Sequence, residues 1–401
     1  DIPGDVNVWR VPTPRPKPVN RLAHAVGWKP ATPQMDETSS SPSVQSPPQF
    51  SLALWVKRLR RAILAPLYLI QNPPVDQNLF WSLRIVPLAR QIIKQGDIDV
   101  ILTTSPPWSP LLTGFLLKLL TGKPWVADFR DPWTDNTFLY FPTAIQRWFD
   151  THLERFLARR ANALVAVTPP LVQGLTERVA GSKNKPPVLI PNGWDEDDLI
   201  SDAGGQAGDT LEQNTDGKII LLHPGNAYHG EPLPILKALE QLPSAPSSLE
   251  TRLQFRFVGY MHPADTAQIH TSAYDALFNI TLERVPHPEA LHLMRKAHVL
   301  LLLRKGANAY SGKVFEYMII GKPVLAITSG IAADLVHQVG IGCAISPENQ
   351  EELASALHQI AFDYESFVDK YYHPNWELIR QYNRKILTER LASVLDAVGE
   401  G

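Results

Sequence analysis

The loop from Asn308 to Lys313 (NAYSGK) carries the residue types of a phosphate-binding site at the beginning of a predicted helix. The first turn of a helix offers unpaired N–H groups and a partial positive charge, which together attract anions. Ser311 can cap the helix, Gly312 permits close approach to the backbone, and Lys313 adds a full positive charge. Glu316 lies one turn further on, where a carboxylate can accept two ribose hydroxyls. The loop predicts a nucleotide diphosphate site; the alternative is a capped helix whose charged side chains only contact water.

Three other segments place polar side chains directly beyond a predicted strand. Open parallel sheets bind ligands at the carboxyl ends of their strands, so these segments are the next candidates. They are Thr103–Pro107, Asp128–Trp133 and His223–Gly230. The second supplies two carboxylates, Asp128 and Asp131, beside a guanidinium, and the third contains the turn Gly225-Asn226.

Short apolar runs alternate with amphipathic helical patterns along two stretches of the chain, which is the pattern of parallel sheets buried between helices. The predicted strands of the first stretch are Val100–Thr103, Trp125–Asp128, Ala163–Val167 and Val188–Ile190. Those of the second stretch are Ile219–His223, Gln254–Val258, Ile280–Glu283, Val299–Leu303, Val324–Ile327 and Cys343–Ile345. The helices predicted between the latter include Leu233–Glu240, Glu289–Lys296, Lys313–Ile320 and Gln350–Phe362. The sequence therefore predicts an α/β protein.

The length of 401 residues suits two domains of ordinary size. A polar, glycine-rich stretch at 196–218 separates the two sets of strands and is the predicted linker. The first domain then covers 1–195, with a mobile insertion near 36–49 where proline and serine are frequent. The second domain covers 219–374.

The composition excludes several classes of protein. Lys and Arg number 38 against 40 Asp and Glu, a formal charge of −2, which excludes a globally basic nucleic-acid binder. The single cysteine, Cys343, excludes a disulfide framework and a cysteine-ligated structural zinc, and its apolar neighbours predict a core position. No run of about 18 uncharged apolar residues occurs, so a membrane-spanning helix is not expected.

Two charged stretches have competing interpretations. The helical pattern around Lys57–Arg61 mixes four cations with apolar residues, which fits either a surface helix packed on the core or contact with anionic lipid headgroups. The run Asp195-Glu196-Asp197 has the Asp-x-Asp form of a metal site, but its place at the start of the linker favours a solvated acidic run. His287 and His292 are five residues apart and do not share a helix face. No metal site is predicted.

Several of these motifs, in this order, resemble those of the family 4-like glycosyltransferases of the GT-B fold. They are Asp128–Trp133 (DFRDPW), Pro191–Gly193 (PNG) and Ser311–Leu325 (SGKVFEYMIIGKPVL). The resemblance implies two Rossmann-like domains facing across a cleft, with the nucleotide-sugar donor on the second and the acceptor mostly on the first. It also implies that a final helix, Trp376–Val398 within 375–401, crosses back to the first domain.

The resemblance further implies roles for single residues. Lys313 would contact the donor diphosphate, and Glu316, as the second Glu of the family's Glu-x7-Glu motif, would hold the ribose. Val285 would border the base, and Asp128 and Asp131 would lie on the acceptor side. The implied donor-binding residues are Gly225, Asn226, Val285, Asn308, Ser311, Gly312, Lys313 and Glu316, and the implied catalytic residues are Asp128, Asp131 and Lys313. Family members retain the anomeric configuration without a metal, so no cofactor is implied besides the nucleotide diphosphate sugar as co-substrate.

The sequence departs from the family pattern in three places. Asn308 stands where the first Glu of the motif is expected, and Glu231 stands where many members have a phosphate-binding Arg. The strand and glycine-rich turn that open the first domain of the family are missing before Asp1, which suggests an N-terminally truncated chain.

The resemblance thus predicts a hexosyltransferase-type enzyme that moves a sugar from a nucleotide diphosphate sugar to a hydroxyl acceptor, glycan or lipid-linked, in polysaccharide or cell-envelope synthesis. The expected location is cytoplasmic, with peripheral contact at the inner face of the membrane as a variant, and no nucleic-acid partner is expected. Two alternatives stay open. One is a nucleotide-sugar epimerase of the same fold, and the other is a non-catalytic nucleotide-sugar-binding member, which Asn308 and Glu231 favour.

Overall fold

The computed structural model describes residues 7–11, 74–136, 139, 141, 143–182, 186–200, 217–304, 306 and 308–400. The predicted insertion near 36–49, the basic pattern around Lys57–Arg61 and most of the predicted linker lie outside the described residues. The chain divides into two compact units, one of residues 1–188 with 394–401 and one of residues 189–393.

The first unit is built on a sheet whose strand order follows the chain, β1-β2-β3-β4. Its strands are β1 Ile101–Ser105, β2 Trp125–Phe129, β3 Ala163–Ala166 and β4 Val188–Leu189, and the β1–β2 and β2–β3 pairings are parallel. The helices of this part are α1 Leu79–Gln95, α2 Ser109–Thr121, α3 Ala144–Arg160 and α4 Pro169–Val179. Gly114 allows α2 to lie close to the sheet, because a Cβ there would come 2.2 Å from Nε1 of Trp125.

The second unit contains six parallel strands in the order β10-β9-β8-β5-β6-β7. They are β5 Ile219–Pro224, β6 Leu253–Val258, β7 Phe278–Thr281, β8 Val299–Leu303, β9 Val324–Ile327 and β10 Gly342–Ile345. The helices are α5 Asp197–Ile200, α6 Leu233–Leu239, α7 Pro246–Glu250, α8 Pro263–His270, α9 His287–Lys296, α10 Gly312–Ile320, α11 Ile331–Val339, α12 Gln350–Phe362, α13 Tyr364–Tyr371, α14 Trp376–Arg380 and α15 Arg384–Gly399. A 3-10 turn covers Asp275–Leu277.

The predicted α/β class with two parallel sheets is confirmed. The all-apolar runs gave the best boundaries, because β8 and β9 are buried along their whole length and have the bounds predicted for them. The strand predicted at Ile280–Glu283 lies two residues earlier, since Phe278 is buried in the core while Leu282 is 57% exposed. Cys343 is buried in β10, where burial raises the pKa of its thiol to about 12, so its predicted core position is confirmed.

The final helix differs from the prediction of one continuous segment. It is divided into α14 and α15, and the break pairs with Trp194, whose N–H donates to the Tyr382 carbonyl at 3.0 Å and whose carbonyl accepts from Arg384 at 2.9 Å. A Cβ on Gly193 would come 2.2 Å from the Tyr382 oxygen, which explains why glycine ends the Pro-Asn-Gly motif. The last residues of α15 belong to the first unit, where Gly399 lies against Val100. Among the described residues, no helix combines the length and apolar character needed to cross a bilayer.

Candidate functional site

The strand order of the second sheet reverses between β5 and β8. From β5 the chain proceeds through β6 and β7 on one side, then returns to place β8, β9 and β10 on the other. Such a reversal opens a crevice at the carboxyl ends of the two central strands, which is where open α/β sheets bind ligands. His223 and the turn at Gly225 end β5, and the loop beyond β8 leads into α10, so both predicted donor segments meet at this point.

Lys313 reaches from the first turn of α10 to the end of β5. Its Nζ lies 2.8 Å from Nε2 of His223 and 3.3 Å from the carbonyl oxygen of Asn226. The His223 ring is fully buried, and its Nδ1 lies 3.0 Å from the Leu301 carbonyl oxygen, which can only accept. Nε2 lies 3.2 Å from the Asn226 carbonyl oxygen and 2.8 Å from the Lys313 ammonium, which can only donate. With Lys313 charged, a neutral His223 therefore carries its proton on Nδ1, and Nε2 accepts a hydrogen bond from the ammonium.

The charges of this pair are set by burial. Desolvation and the adjacent Lys313 charge lower the pKa of His223 to about 3, so the ring is neutral at pH 7. Desolvation also lowers the pKa of Lys313 to about 8, although the carboxylates of Glu231 and Glu316 oppose the shift. At pH 7 Lys313 is therefore a cation beside a buried neutral acceptor. Such a cation can pair with an anionic ligand at a smaller desolvation cost than a fully hydrated Lys.

Three glycines leave the room that this arrangement needs. Gly225 has φ of +93°, and a Cβ there would lie 3.1 Å from Cε of Lys313. Gly259, with φ of +125°, packs against the same turn, because its Cβ would come 2.8 Å from the Gly225 oxygen. Gly312 is different: it is exposed, and an added Cβ there meets no atom of the described residues within 4 Å. The backbone there is accessible to a ligand.

The expected cap at Ser311 is not formed. Ser311 occupies the N-cap position with an extended backbone, but its side chain accepts no capping hydrogen bond. Its carbonyl accepts from the N–H of Val314 at 3.1 Å. The start of α10 is therefore not closed by this hydroxyl, which suits an external anion better than a capped helix does.

Glu316 and Glu231 are the two carboxylates whose charges act on Lys313 and oppose the lowering of its pKa. Burial raises the pKa of Glu316, while the nearby His287, whose Nε2 is 3.0 Å from an Asp198 carboxylate oxygen, opposes the shift. Glu231 accepts a hydrogen bond from the N–H of Tyr228 at 2.8 Å. The carboxylate that replaces the family's Arg therefore closes the turn beyond β5.

The other predicted donor residues are placed around this centre. Asn226 contributes its carbonyl to Lys313, Val285 is half-buried against the core of the second unit, and Asn308 is exposed in the loop before α10. The structure thus brings Gly225, Asn226 and Lys313 into one site by direct contact, with Glu316 one turn further along the helix.

The predicted acceptor residues belong to the first unit. Asp128 is half-buried at the end of β2, where its Oδ2 accepts from the Thr104 hydroxyl at 2.8 Å, and burial raises the pKa of its carboxyl. Asp131 is exposed three residues further on. The loop continues into Trp133, which is buried and stacked on Trp108 with ring centroids 5.6 Å apart. The loop beyond β2 is therefore anchored by an aromatic pair and presents two carboxyl groups at the sheet edge.

One cluster of potential metal ligands was not predicted from the spacing of histidines in the sequence. His229, His262 and Asp265 come from separate loops and helices, and one ligand atom of each lies within 4.8 Å of the others. Hydrogen bonds within the group already use these atoms: Asp265 accepts from His229 at 2.9 Å and from the Gly230 N–H at 2.7 Å, and His262 accepts from Ala264 at 3.3 Å. These hydrogen bonds hold the loop beyond β5 in place, which gives the cluster a structural role.

The acidic run before the linker is paired with the beginning of α15. Asp195 lies 3.3 Å from Arg384, and Glu196 contacts Lys385 and accepts from Asn383 at 2.7 Å. Hydrogen bonds and these cations lower the pKa of both carboxyls. These carboxylates thus pair with cations of the same unit instead of being only solvated.

His223 was predicted only as the first residue of the candidate segment His223–Gly230 and was given no role of its own. Its partner Lys313 is 90 residues away in the chain. A usable signal existed: a titratable side chain that ends an otherwise apolar, buried strand directly before a Pro-Gly turn.

Comparisons with known proteins concern the family and the fold of the chain. Residues 3–193 match the model of the glycosyl transferase 4-like domain. HepE of Anabaena, solved in complex with UDP, is 16% identical, with 82% of this chain and 85% of that one covered and a TM-score of 0.61. Sucrose-phosphate synthase of Thermosynechococcus elongatus is 17% identical, with 80% and 79% covered and a TM-score of 0.56.

A Listeria monocytogenes protein assigned as a UDP-N-acetylglucosamine 2-epimerase is also similar, at 15% identity, 80% and 79% coverage and a TM-score of 0.50. No curated protein sequence matches the chain. Two α/β units with parallel sheets, and these structural neighbours, define a protein of the GT-B fold. Residues 3–193 match the glycosyl transferase 4-like domain, so the predicted resemblance to the family 4-like glycosyltransferases is confirmed for that part of the chain. Glycosyl transfer is the general activity that this match supports.

Proposed function

We propose that the protein transfers a sugar from a nucleotide diphosphate sugar to a hydroxyl acceptor. The observation that carries the proposal is the Lys313 ammonium, held 2.8 Å from a buried neutral His223 at the start of α10. An ammonium at a helix N-terminus, beside a glycine turn and an open backbone, suits a diphosphate. HepE was solved with UDP, so a uridine diphosphate sugar is the first donor to test.

Catalysis rests on positioning and on charge at the departing group. As the bond between the anomeric carbon and the diphosphate oxygen breaks, negative charge grows on that oxygen. Lys313 and the N–H groups at the start of α10 are placed to stabilise this charge without a metal. Glu316, one turn on, holds the ribose, and the transfer retains the anomeric configuration, as the family resemblance implies.

Asp128 and Asp131 serve the acceptor. Asp128 lies near the end of β2 and Asp131 in the loop beyond it, both in the first unit, whereas the diphosphate features all belong to the second unit. Replacement of either by Asn keeps the size and removes the charge. It should slow transfer at least tenfold and leave the Kd for UDP unchanged. Equal losses in transfer and in UDP affinity would contradict this division of roles.

Donor binding is tested first by the thermal stability of the protein with UDP, with uridine and with UDP-sugars. A ligand at a hundred times its Kd stabilises the folded state by about 2.7 kcal/mol, which gives a measurable rise in Tm. UDP should raise Tm and uridine much less. Lys313→Ala should weaken UDP binding roughly ten- to a hundred-fold, because a charge-assisted contact contributes about 1.5–3 kcal/mol. The exposed Lys237 supplies the control Lys237→Ala, which should bind UDP normally. No shift with any nucleotide would contradict the proposal.

An epimerase of the same fold is the second candidate, because one of the similar structures is assigned that activity. An epimerase converts the donor without an acceptor, whereas a transferase needs one. Donor consumed to give an isomeric nucleotide sugar in the absence of any acceptor would favour the epimerase. Donor bound but never turned over with glycan or lipid-linked acceptors would favour a non-catalytic member.

A further inference from the structure

Helix α3 buries polar side chains along its first three turns and exposes apolar ones. Gln146, Asp150 and Glu154 are buried at a spacing of four residues, and Leu157 and Ala158 are buried in the last turn. The outward face of α3 carries large apolar side chains that are exposed: Ile145 (78%), Trp148 (61%), Phe149 (45%) and Phe156 (41%). Monomeric soluble proteins seldom expose a continuous stripe of this kind, and larger ones mark interaction surfaces.

The inward polar face has a structural explanation. Asp150 accepts from the N–H of Val75 at 3.1 Å, and Glu154 accepts from Thr134 at 3.3 Å while pairing with Arg178 at 3.2 Å. These contacts fix the loop beyond β2 and the packing of α4. They give no reason for aromatic side chains on the opposite face, so the outward stripe needs an explanation of its own.

The exposed charged side chains of α3 itself are all cations. Both carboxylates of α3 are buried, so the exposed charges of the helix are guanidinium groups: Arg147, Arg155, Arg159 and Arg160, of which Arg159 donates to the carbonyls of Arg178 and Ala180. Arg160 lies over the Phe156 ring at 5.2 Å, and Phe156 meets Phe115 of α2 edge-on at 5.1 Å. Leu119 of α2, 62% exposed, lies one turn from Phe115 and extends the apolar surface. We call Ile145, Trp148, Phe149, Phe156 and Leu119, with the bordering arginines, the α3 surface.

The α3 surface has the chemistry of a helix that lies in a membrane interface. Such helices place Trp and Phe at the boundary between headgroups and acyl chains, and cations on the flanks attract anionic lipids. The headgroup region of an anionic bilayer therefore complements both the apolar side chains and the arginines of the α3 surface. The cationic stretch Lys57–Arg61 of the same chain has the same sign of charge, so it is no electrostatic complement to the α3 surface.

The direction of α3 gives this surface a functional place. Only Ala161 and Asn162 separate the end of α3 from β3, so the last turn of α3 lies at the amino end of the sheet and its first turn at the carboxyl end. Ile145, Trp148 and Phe149 are in the first two turns. They therefore lie at the same end of the first unit as Asp128, where the proposed acceptor binds.

We propose that the first unit docks on an anionic lipid bilayer through the α3 surface, with the acceptor end of its sheet close to the headgroups. The test is co-sedimentation of the full chain with vesicles of phosphatidylcholine alone and of phosphatidylcholine with phosphatidylglycerol. The chain should bind the anionic vesicles, bind the neutral ones much less, and dissociate at high salt, because exposed charges are screened.

Two variants separate the apolar and the charged contributions. Trp148→Gln with Phe149→Gln should abolish most binding, because the apolar anchor is removed. Arg147→Glu with Arg155→Glu should lower partitioning by at least roughly thirtyfold, at about 1 kcal/mol for each cation lost near an anionic surface. The matched controls are Trp376→Gln and Arg380→Glu, at exposed positions of the second unit, and both should bind vesicles like the unchanged protein.

The test also decides among other occupants of the α3 surface. If a second copy covers it, sedimentation equilibrium will show a dimer that Trp148→Gln dissociates, and the proposal fails. If another segment of the chain covers it, the unchanged protein will not bind vesicles and Trp148→Gln will lower Tm, which also overturns the proposal. UDP binding should be the same in all four variants. Loss of vesicle binding with normal UDP binding therefore concerns docking alone, and the proposed glycosyl transfer is tested independently.

Discussion

The depressed pKa of Lys313 makes nucleotide binding depend on pH in a range where most lysines do not titrate. The pKa of Lys313 is about 8, because the side chain is buried at the end of β5. A diphosphate binds the ammonium form, so the affinity follows the protonated fraction of Lys313. That fraction falls from about nine-tenths at pH 7 to about one-tenth at pH 9, whereas a lysine with an ordinary pKa of about 10.4 would stay charged.

The expected result is a Kd for UDP that rises about tenfold between pH 7 and pH 9, measured by isothermal titration calorimetry. This tenfold change agrees with the free energy that a charge-assisted contact contributes, about 1.5–3 kcal/mol. Complete loss of that contact would raise the Kd by at most roughly a hundredfold. The second phosphate pKa is near 6, so the terminal phosphate is already about nine-tenths doubly charged at pH 7, and its own titration changes the affinity little over this range. Uridine, which lacks the diphosphate, reports any titration of the base and should show no comparable loss.

Two variants make the reasoning refutable. Lys313→Arg keeps the charge at every pH used, so its affinity for UDP should be flat from pH 7 to pH 9. Lys313→Gln should bind weakly at both pH values and should also show no slope. A tenfold loss that persists in Lys313→Gln would show that another group titrates, and a flat profile for the unchanged protein would show that Lys313 does not bind the diphosphate.

Three further outcomes follow from named contacts. Lys313→Met should raise Tm of the ligand-free protein at pH 7. The pKa of Lys313 is lower in the folded than in the unfolded state, so burying the charged form costs stability below pH 8. The rise in Tm caused by the substitution should shrink as the pH increases from 8 towards 10.5. His223→Phe should weaken UDP binding severalfold, since the ammonium loses its acceptor at 2.8 Å, while His223→Gln, which keeps an acceptor, should bind more tightly than His223→Phe; equal affinities would contradict the role of the ring nitrogen. Gly193→Ala should lower the free energy of unfolding by about 1–3 kcal/mol in urea titrations, because its Cβ meets the Tyr382 oxygen at 2.2 Å, whereas Gly312→Ala, which meets no atom within 4 Å, should not.

The sequence predicted best those elements whose residues share one environment. Val299–Leu303 is apolar throughout and lies in the middle of a sheet, so its burial and its bounds follow from composition alone. Lys313–Ile320 was predicted as a helix for a comparable reason, since its apolar residues recur at helical spacing and glycine precedes and follows it. In both cases local preference and tertiary packing agree.

Prediction was poorer where a distant residue decides the local structure. The pattern from Trp376 to Val398 is helical throughout, yet the break at 381–383 forms because Trp194 pairs with its backbone. Likewise α3 cannot be oriented by its apolar residues, because its buried face is set by the partners of Asp150 and Glu154 in other segments. These contacts join residues far apart in the chain, and a periodicity of apolar residues carries no information about them.

The contact between His223 and Lys313 could not be predicted from the sequence, because the two residues are far apart in the chain. Its physical chemistry nevertheless suits one kind of ligand, an anion. Burying a lysine beside a neutral imidazole lowers its pKa, which is a cost to the ligand-free protein. A structural role alone would favour an apolar residue at either position, because such a pair packs without desolvation. The cost is recovered only when an anion arrives, since the ammonium then gains a partner in a place where little water competes for it. Under the proposed function, the polar pair at the sheet reversal, beside the exposed Gly312, is the arrangement expected of a site that binds a phosphate.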